Sequence, residues 1–214
     1  MILAFDTSGP WVVTALLDGG NLLAERRLDM PKGQGQHLMS LIEDTLGHAN
    51  TTLQDLAAIG VGTGPGNFTG IRIAVAAARG LALALDIPAI GVTGFDALYH
   101  GRSDDALVAI PGPRNSFYAQ AFGTCRSAPQ LVGSDAALPP LDAARNPALI
   151  ASPGAALPER SWHPLTARID GPPLAPSIAR VAAQRLSQPQ PRPAPLYVQP
   201  PDAAPVAQVK PILP

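Results

Sequence analysis

The segment Thr63-Gly64-Pro65-Gly66-Asn67-Phe68-Thr69-Gly70-Ile71-Arg72 constrains this chain more than any other, because it sets a Gly-rich turn between a strand pattern and an Ala-rich helical pattern. Ala58 to Gly62 reads as the strand and Phe68 to about Leu85 as the helix. Such a turn faces free backbone N–H groups and the positive end of the helix dipole, an arrangement that holds anions. The segment has no Lys-Ser/Thr pair of a phosphate loop, and Asn67 stands where a G-x-G-x-x-G run begun at Gly62 needs its third glycine. A second reading needs no ligand: Gly64 and Gly66 supply unusual backbone angles, Pro65 stiffens the turn, and Asn67 or Thr69 caps the helix. Both readings stand at this level.

Ahead of that segment, Ile2 to Asp6, Val12 to Leu17 and Leu22 to Leu28 read as three strands, the last two joined by the tight turn Asp18-Gly19-Gly20-Asn21. Gln36 to Ala49 carries a helical stripe of Leu38, Leu41, Ile42, Thr45 and Leu46, and Thr52 to Asp55 resembles a capping box opening a short helix. Ile87 to Val92 follows as a strand and Thr93 to His100 as a short helix. The order β-β-β-α-β-α-β is an antiparallel meander extended by parallel strands through helical crossovers. That order recurs in the ribonuclease-H-like halves of actin-like and sugar-kinase proteins, so an α/β fold of two lobes with mixed sheets is expected.

Proline marks the division between lobes. It occurs only at positions 10, 31, 65 and 88 in the first hundred residues, then in pairs such as Pro139-Pro140, Pro172-Pro173 and Pro200-Pro201. A boundary at about Gly101 to Asp105 separates a first lobe, 1–100, from a smaller Pro/Ala-rich second lobe, 101–214. In the latter, Ala106 to Ile110 and Ser116 to Phe122 form a hairpin around 111–115, Ser177 to Leu186 reads as a helix with Ser177 near its cap, and 128–175 reads as short elements and long loops.

Composition narrows the function. The net charge is −1 with no Lys/Arg cluster, so contact with a nucleic acid is expected only through a partner. The lone Cys125 fits a reducing compartment, Asp6 arrives too early for a signal peptide, and Arg79, Asp86 and Pro88 interrupt the longest apolar run; a cytoplasmic chain outside the membrane is expected. His37, His48, His100 and His163 share no metal-ligand spacing, and neither a G-x-S-x-G nor a Cys paired with a base is present. No catalytic residue and no metal site is assigned. Asp6-Thr7-Ser8 ends the first strand, where its oxygens either hold Mg²⁺ or a phosphate or satisfy the local turn.

The helix 68–85 carries two faces. Gly70, Ala74, Ala77, Ala78 and Leu81 form a small-residue face that admits another helix, while Ile71, Val75, Ala78, Ala82 and Leu85 form a second stripe. The sheet covers one; a partner protein is a candidate for the other.

These residues resemble the TsaB (YeaZ) family of the bacterial tRNA threonylcarbamoyladenosine machinery. Ile2-Leu3-Ala4-Phe5-Asp6-Thr7-Ser8 is similar to that family's opening strand and D-T-S turn, and Gly64 to Ile73 to its G-P-G-S-F-T-G-[IV]-R-I. Gly80 to Leu85 is similar to the continuation, and Pro195-Leu196-Tyr197-Val198 to the P-x-Y-[LV]-R ending, with Gln199 in place of Arg. The resemblance covers residues 1 to 100 well and the rest thinly. It implies a two-lobed actin-like fold that is not itself catalytic and pairs with the transferase TsaD, which acts on tRNA, while the ATPase TsaE binds the pair. Contact with TsaD through helices 36–49 and 68–85 implies interface positions Leu38, Leu41, Ile42, Thr45, Ile71, Ala74, Val75 and Ala78. A homodimer through the same surface is implied where the partner is absent. No cofactor is expected on this chain alone; ATP or ADP at the partner interface would lie near Asp6, Thr7, Ser8, Gly64 and Gly66. Two departures stand out: Gln34-Gly35-Gln36 where the family often has His-Ser-[EQ], and Pro111-Gly112-Pro113 before Arg114 where it often has Asp-Ala-Arg.

Overall fold

The computed structural model describes residues 1–133, 135–152, 157, 162–165 and 167–198. Position 199 and the pair 200–201 singled out above lie outside the described residues.

The chain opens with β1 (Ile2–Asp6), β2 (Trp11–Asp18) and β3 (Asn21–Asp29), the antiparallel meander expected from the sequence. Helix α1 (Gln34–His48) follows, beginning two residues earlier than the periodicity indicates, after Gly33 in a left-handed conformation with φ 91°. Thr52 and Asp55 cap a short 3-10 turn reciprocally; the Thr52 N–H donates to Asp55 Oδ2 over 2.8 Å. Then come β4 (Ala58–Gly62), α2 (Phe68–Leu85), β5 (Ala89–Val92) and α3 (Gly94–Tyr99). The sheet runs β3-β2-β1-β4-β5, with β4 and β5 parallel to β1.

The strand period sorts β1 between two cores. Leu3 and Phe5 join Leu38, Ile42, Ile59, Ala74 and Ala78 beneath α1 and α2. Ile2 and Ala4 point the other way, into a cluster with Ile90, Val92, Ile178 and Ala182. Ile178 and Ala182 belong to α4 (Leu174–Arg185), which packs on β1, β2 and β4. Gly60 permits this approach, since a Cβ there would stand 3.0 Å from that of Ala182.

The second sheet is built from β6 (Ala106–Pro111), β7 (Phe117–Phe122), β8 (Gln130–Val132), β9 (Ala148–Ala151) and β10 (Arg168–Asp170), in the order β10-β9-β6-β7-β8. This repeats the first: a meander, then two strands added in parallel on the far side of its first strand. β9 and β10 lie within 128–175, where short elements were expected; four and three residues respectively, they are too short to announce a period.

The helices modify the division at residue 101. α3, from the first part, packs on β6 and β9 with Phe95 and Leu98 among Val108, Phe122 and Ile150. Reciprocally, α4 packs on the first sheet. α4, within the stretch 101–214 expected as the second lobe, thus lays its apolar face on the first core. Ser177 is not a cap either: α4 starts three residues earlier, and Ser177 is buried in its second turn. Pro176 falls in the first helical turn, where a missing N–H costs nothing, so it does not delay the start.

Candidate functional site

The start of α2 is locked to the end of β1. Thr7 Oγ1 donates to the Gly70 carbonyl over 2.6 Å, and the Asn67 N–H donates to the Ser8 carbonyl over 2.6 Å. Asn67 caps the helix, accepting from the Gly70 N–H at 2.8 Å. A Cβ at Gly70 would lie 1.9 Å from the Thr7 carbonyl oxygen, and one at Gly66 2.2 Å from that of Ser8. Gly64, at φ 93°, sits against Ile71 and accepts the Gly94 N–H at 2.8 Å. Backbone approach therefore accounts for these glycines. The Ser8 carbonyl and the Asn67 side chain engage the Asn67 and Gly70 N–H groups at the helix start.

Asp6 is equally engaged. Its Oδ1 accepts from the Ser8 N–H at 2.9 Å, Ser8 Oγ at 2.8 Å and Trp11 Nε1 at 3.1 Å. Burial raises its pKa above the ordinary value, opposed by these hydrogen bonds. Among the described residues no three His, Cys, Asp or Glu side chains gather as a metal site. These contacts match the turn-satisfying alternative for Asp6-Thr7-Ser8.

Beside this turn a cleft of about 760 Å³ opens between the lobes, lined by Trp11, Phe68, Tyr118, Arg27 and the prolines at 10, 31, 65, 111 and 113. Arg27 is the only charged group among its described lining residues, and its guanidinium stands over the Trp11 ring at 4.9 Å while pairing with Asp29 at 2.7 Å.

Helices α1 and α2 separate the expected interface positions into two classes. Leu38, Ile42, Thr45, Ile71, Ala74, Val75 and Ala78 are all buried within the chain's own core; only Leu41 is partly exposed. These seven face inward: the β1–β4 surface needs an apolar cover, and the strongest stripe of each helix supplies it. Thr45 is tied internally, to Thr14 Oγ1 at 2.5 Å and to the Leu41 carbonyl at 2.7 Å. Outward on α2 stand Thr69, Arg72, Ala76, Arg79, Gly80, Leu83 and Ala84, flanked by half-buried Ile73, Ala77 and Leu81, with Met39 exposed on α1. The 18-residue α2 has a mean hydropathy of 1.5 yet is only 33% buried, and Leu83 is 81% exposed. The other face of the helix thus exposes small and apolar side chains, with Arg72 and Arg79 among them.

One contributor came from the far end of the sequence. The Leu196 N–H donates to the Thr63 carbonyl over 2.8 Å, and the Tyr197 ring stacks on Phe68 at 4.8 Å between centroids. Arg72 stands over Phe68 at 3.7 Å and donates from Nε to the Tyr197 hydroxyl at 2.8 Å. The C-terminal segment is thereby clamped to the first turn of α2. Tyr197 was visible in the sequence as part of a motif, but no local spacing links it to Arg72 across 125 residues.

Comparison with known proteins places this geometry. Residues 32–144, more than half of the chain, match the family model described as TsaD: tRNA N6-adenosine threonylcarbamoyltransferase. The tRNA threonylcarbamoyladenosine biosynthesis protein TsaB of Escherichia coli is 37% identical over 100 residues, 47% of this chain and 43% of that protein. Its namesake in Bacillus subtilis is 37% identical over 109 residues, 50% and 48% of the two chains. The chain thus spans under half the length of either relative in these matches. An uncharacterized protein of Mycobacterium tuberculosis is 33% identical over 210 residues, covering 96% of this chain and 95% of its own. Among solved structures, YeaZ from Pseudomonas aeruginosa superposes with a TM-score of 0.66 at 28% identity, over 92% of this chain and 98% of that one. A second Pseudomonas aeruginosa structure, of an uncharacterized protein with similarity to peptidase YEAZ, gives 0.73 at 25% identity, over 92% and 99%. With the D-T-S turn, the G-P-G-N-F-T-G-I-R segment and the two-lobed actin-like fold in place, the chain belongs to the TsaB (YeaZ) family.

Proposed function

We propose that this chain is a non-catalytic partner subunit in the formation of tRNA N6-threonylcarbamoyladenosine, which binds and activates a TsaD-type transferase through the outward faces of α1 and α2. The observation that carries this reading is α2 itself, a helix of mean hydropathy 1.5 of which only 33% is buried. Its outer face of Ala76, Gly80 and Ala84 lets a second helix approach closely, and covering such a surface is the main driving force of association. The names of the Escherichia coli and Bacillus subtilis relatives support the pathway. The net charge of −1 supports a role in which tRNA is held by the partner. A TsaE-like ATPase joins the pair in the cytoplasm, and a second copy of this chain takes the same face where the transferase is absent. Any nucleotide at the interface draws most of its contacts from the partner, since the Asn67 and Gly70 N–H groups at the start of α2 are already engaged within this chain.

The test is reconstitution of threonylcarbamoyl transfer to tRNA from the purified transferase, the ATPase and this chain. Transfer is expected only when the chain is present, and transfer at full rate without it overturns the proposal. A kinase or hydrolase acting alone is the competing class. Nucleotide-dependent phosphorylation or peptide hydrolysis by the isolated chain supplied with metal would establish it.

A further inference from the structure

The outward face of α2 does not end at the helix. Its last two turns form one wall of a groove of about 670 Å³, closed by residues 86–90 and by the segment 186–193. Two large apolar side chains stand in it uncovered, Leu83 at 81% and Leu186 at 38% exposure. Burying apolar side chains removes them from water, so the groove is a surface that association would stabilise. Its rim carries Pro88, Pro189 and Pro193, which fix the backbone and reduce the ordering that binding would cost.

The charge of the groove says what kind of segment fits. Arg79 of α2 and Arg192 of the segment 186–193 both line it. Arg26, Arg27, Arg102, Arg126, Arg145 and Arg185 all pair with carboxylates of this chain, whereas no ion pair involves Arg79 or Arg192 among the described residues. Two guanidinium groups, each able to take a carboxylate through two parallel hydrogen bonds, thus share a groove with Leu83 and Leu186, and Asp86 is the one acidic group among its described lining residues.

We infer that this groove docks a segment of the transferase subunit that carries carboxylates on either side of an apolar side chain, with Arg79 and Arg192 as the charge clamp and Leu83 and Leu186 as the floor. The inference rests on the proposed function and extends its contact beyond the small-residue face of α2. Helix-on-helix packing along Ala76 and Gly80 supplies area, while the groove supplies register, because the carboxylates of the docked segment must match the spacing of the two arginines.

The experiment is titration of the intact chain into the purified transferase subunit at low and high salt, followed by the double variant Arg79→Glu/Arg192→Glu, the variant Leu83→Asp and the conservative Arg79→Lys/Arg192→Lys. All these positions are exposed, and circular dichroism confirms the fold of each variant. The charge reversal is expected to weaken binding about tenfold at low salt and to flatten the salt dependence, with the lysine variant between it and the unaltered chain. Leu83→Asp is expected to weaken binding at both salt concentrations. Unaltered affinity and salt dependence in the reversal and Leu83→Asp variants overturn the groove while leaving the proposed function standing. No binding by the unaltered chain overturns both.

Discussion

Thr7 Oγ1 donates to the Gly70 carbonyl across 2.6 Å, and the Thr7 carbonyl in turn lies where any side chain at Gly70 would have to begin. The end of the first strand and the first turn of α2 are thereby fitted to each other at backbone distance. The D-T-S turn and the G-P-G-N-F-T-G segment, 63 residues apart at this pair, act as one structural unit.

Gly70→Ala tests that fit. A Cβ 1.9 Å from a carbonyl oxygen forces backbone displacement, and overpacking of this kind costs about 1–3 kcal/mol or more. Urea denaturation is expected to show that loss, with Thr7→Val costing less, about 1 kcal/mol for the hydrogen bond alone. Equal stability of Gly70→Ala and the native chain would contradict the geometry.

Gly80 makes the opposite case, since a Cβ there meets nothing within 4 Å. Gly80→Ala is expected to stabilise the isolated chain by about 0.5–1 kcal/mol through helix propensity. Gly80→Arg should leave the fold intact and abolish association with the transferase. Val75→Arg, by contrast, buries a charge in the core and should unfold the chain, so it does not test the interface. Sedimentation of each variant with and without the transferase separates these outcomes.

Asp6 titrates against the fold. Its folded pKa is raised above the ordinary 3.8, with burial as the largest cause. A raised folded pKa means that its contribution to stability is complete below the unfolded pKa and is lost as pH rises through the folded pKa. Asp6→Asn retains an oxygen to accept from Ser8 and Trp11 but does not titrate. The native chain should therefore lose stability relative to Asp6→Asn as pH rises from about 4. Denaturant midpoints measured across that range would refute this if the two curves run parallel.

Tyr197 holds the C-terminal segment through Phe68 and Arg72. Tyr197→Ala removes the stack and the hydrogen bond, at a combined cost of about 1–2 kcal/mol. Limited proteolysis should then cleave after residue 186 markedly faster while α1 and α2 stay protected. Unchanged cleavage would show that Leu196 and the backbone bond to Thr63 suffice.

Much of the fold was written locally. The meander, the capping box at Thr52 and Asp55, and the helix from Phe68 to Leu85 follow from residue period and turn chemistry within short windows. So does the surplus of apolar residues on α2, which no single sheet face can absorb. What the sequence could not rank was which stripe turns inward. Val75 and Ala76 are neighbours of similar character, and only the position of β1 and β4 beneath the helix buries one and exposes the other.

The remaining features depend on contacts between distant parts of the chain. The exchange of α3 and α4 between the sheets, the Arg72–Tyr197 clamp and the engagement of Asp6 by Trp11 arise where tertiary packing brings side chains together. Period and propensity report on a residue's own few neighbours in sequence, and so they determine the elements and their apolar surplus. Burial and hydrogen-bond satisfaction are settled over the whole molecule, so the closed turn at Thr7, the outward face at Ala76 and Gly80, and the arginine-lined groove at Leu83 were decided only by the tertiary structure.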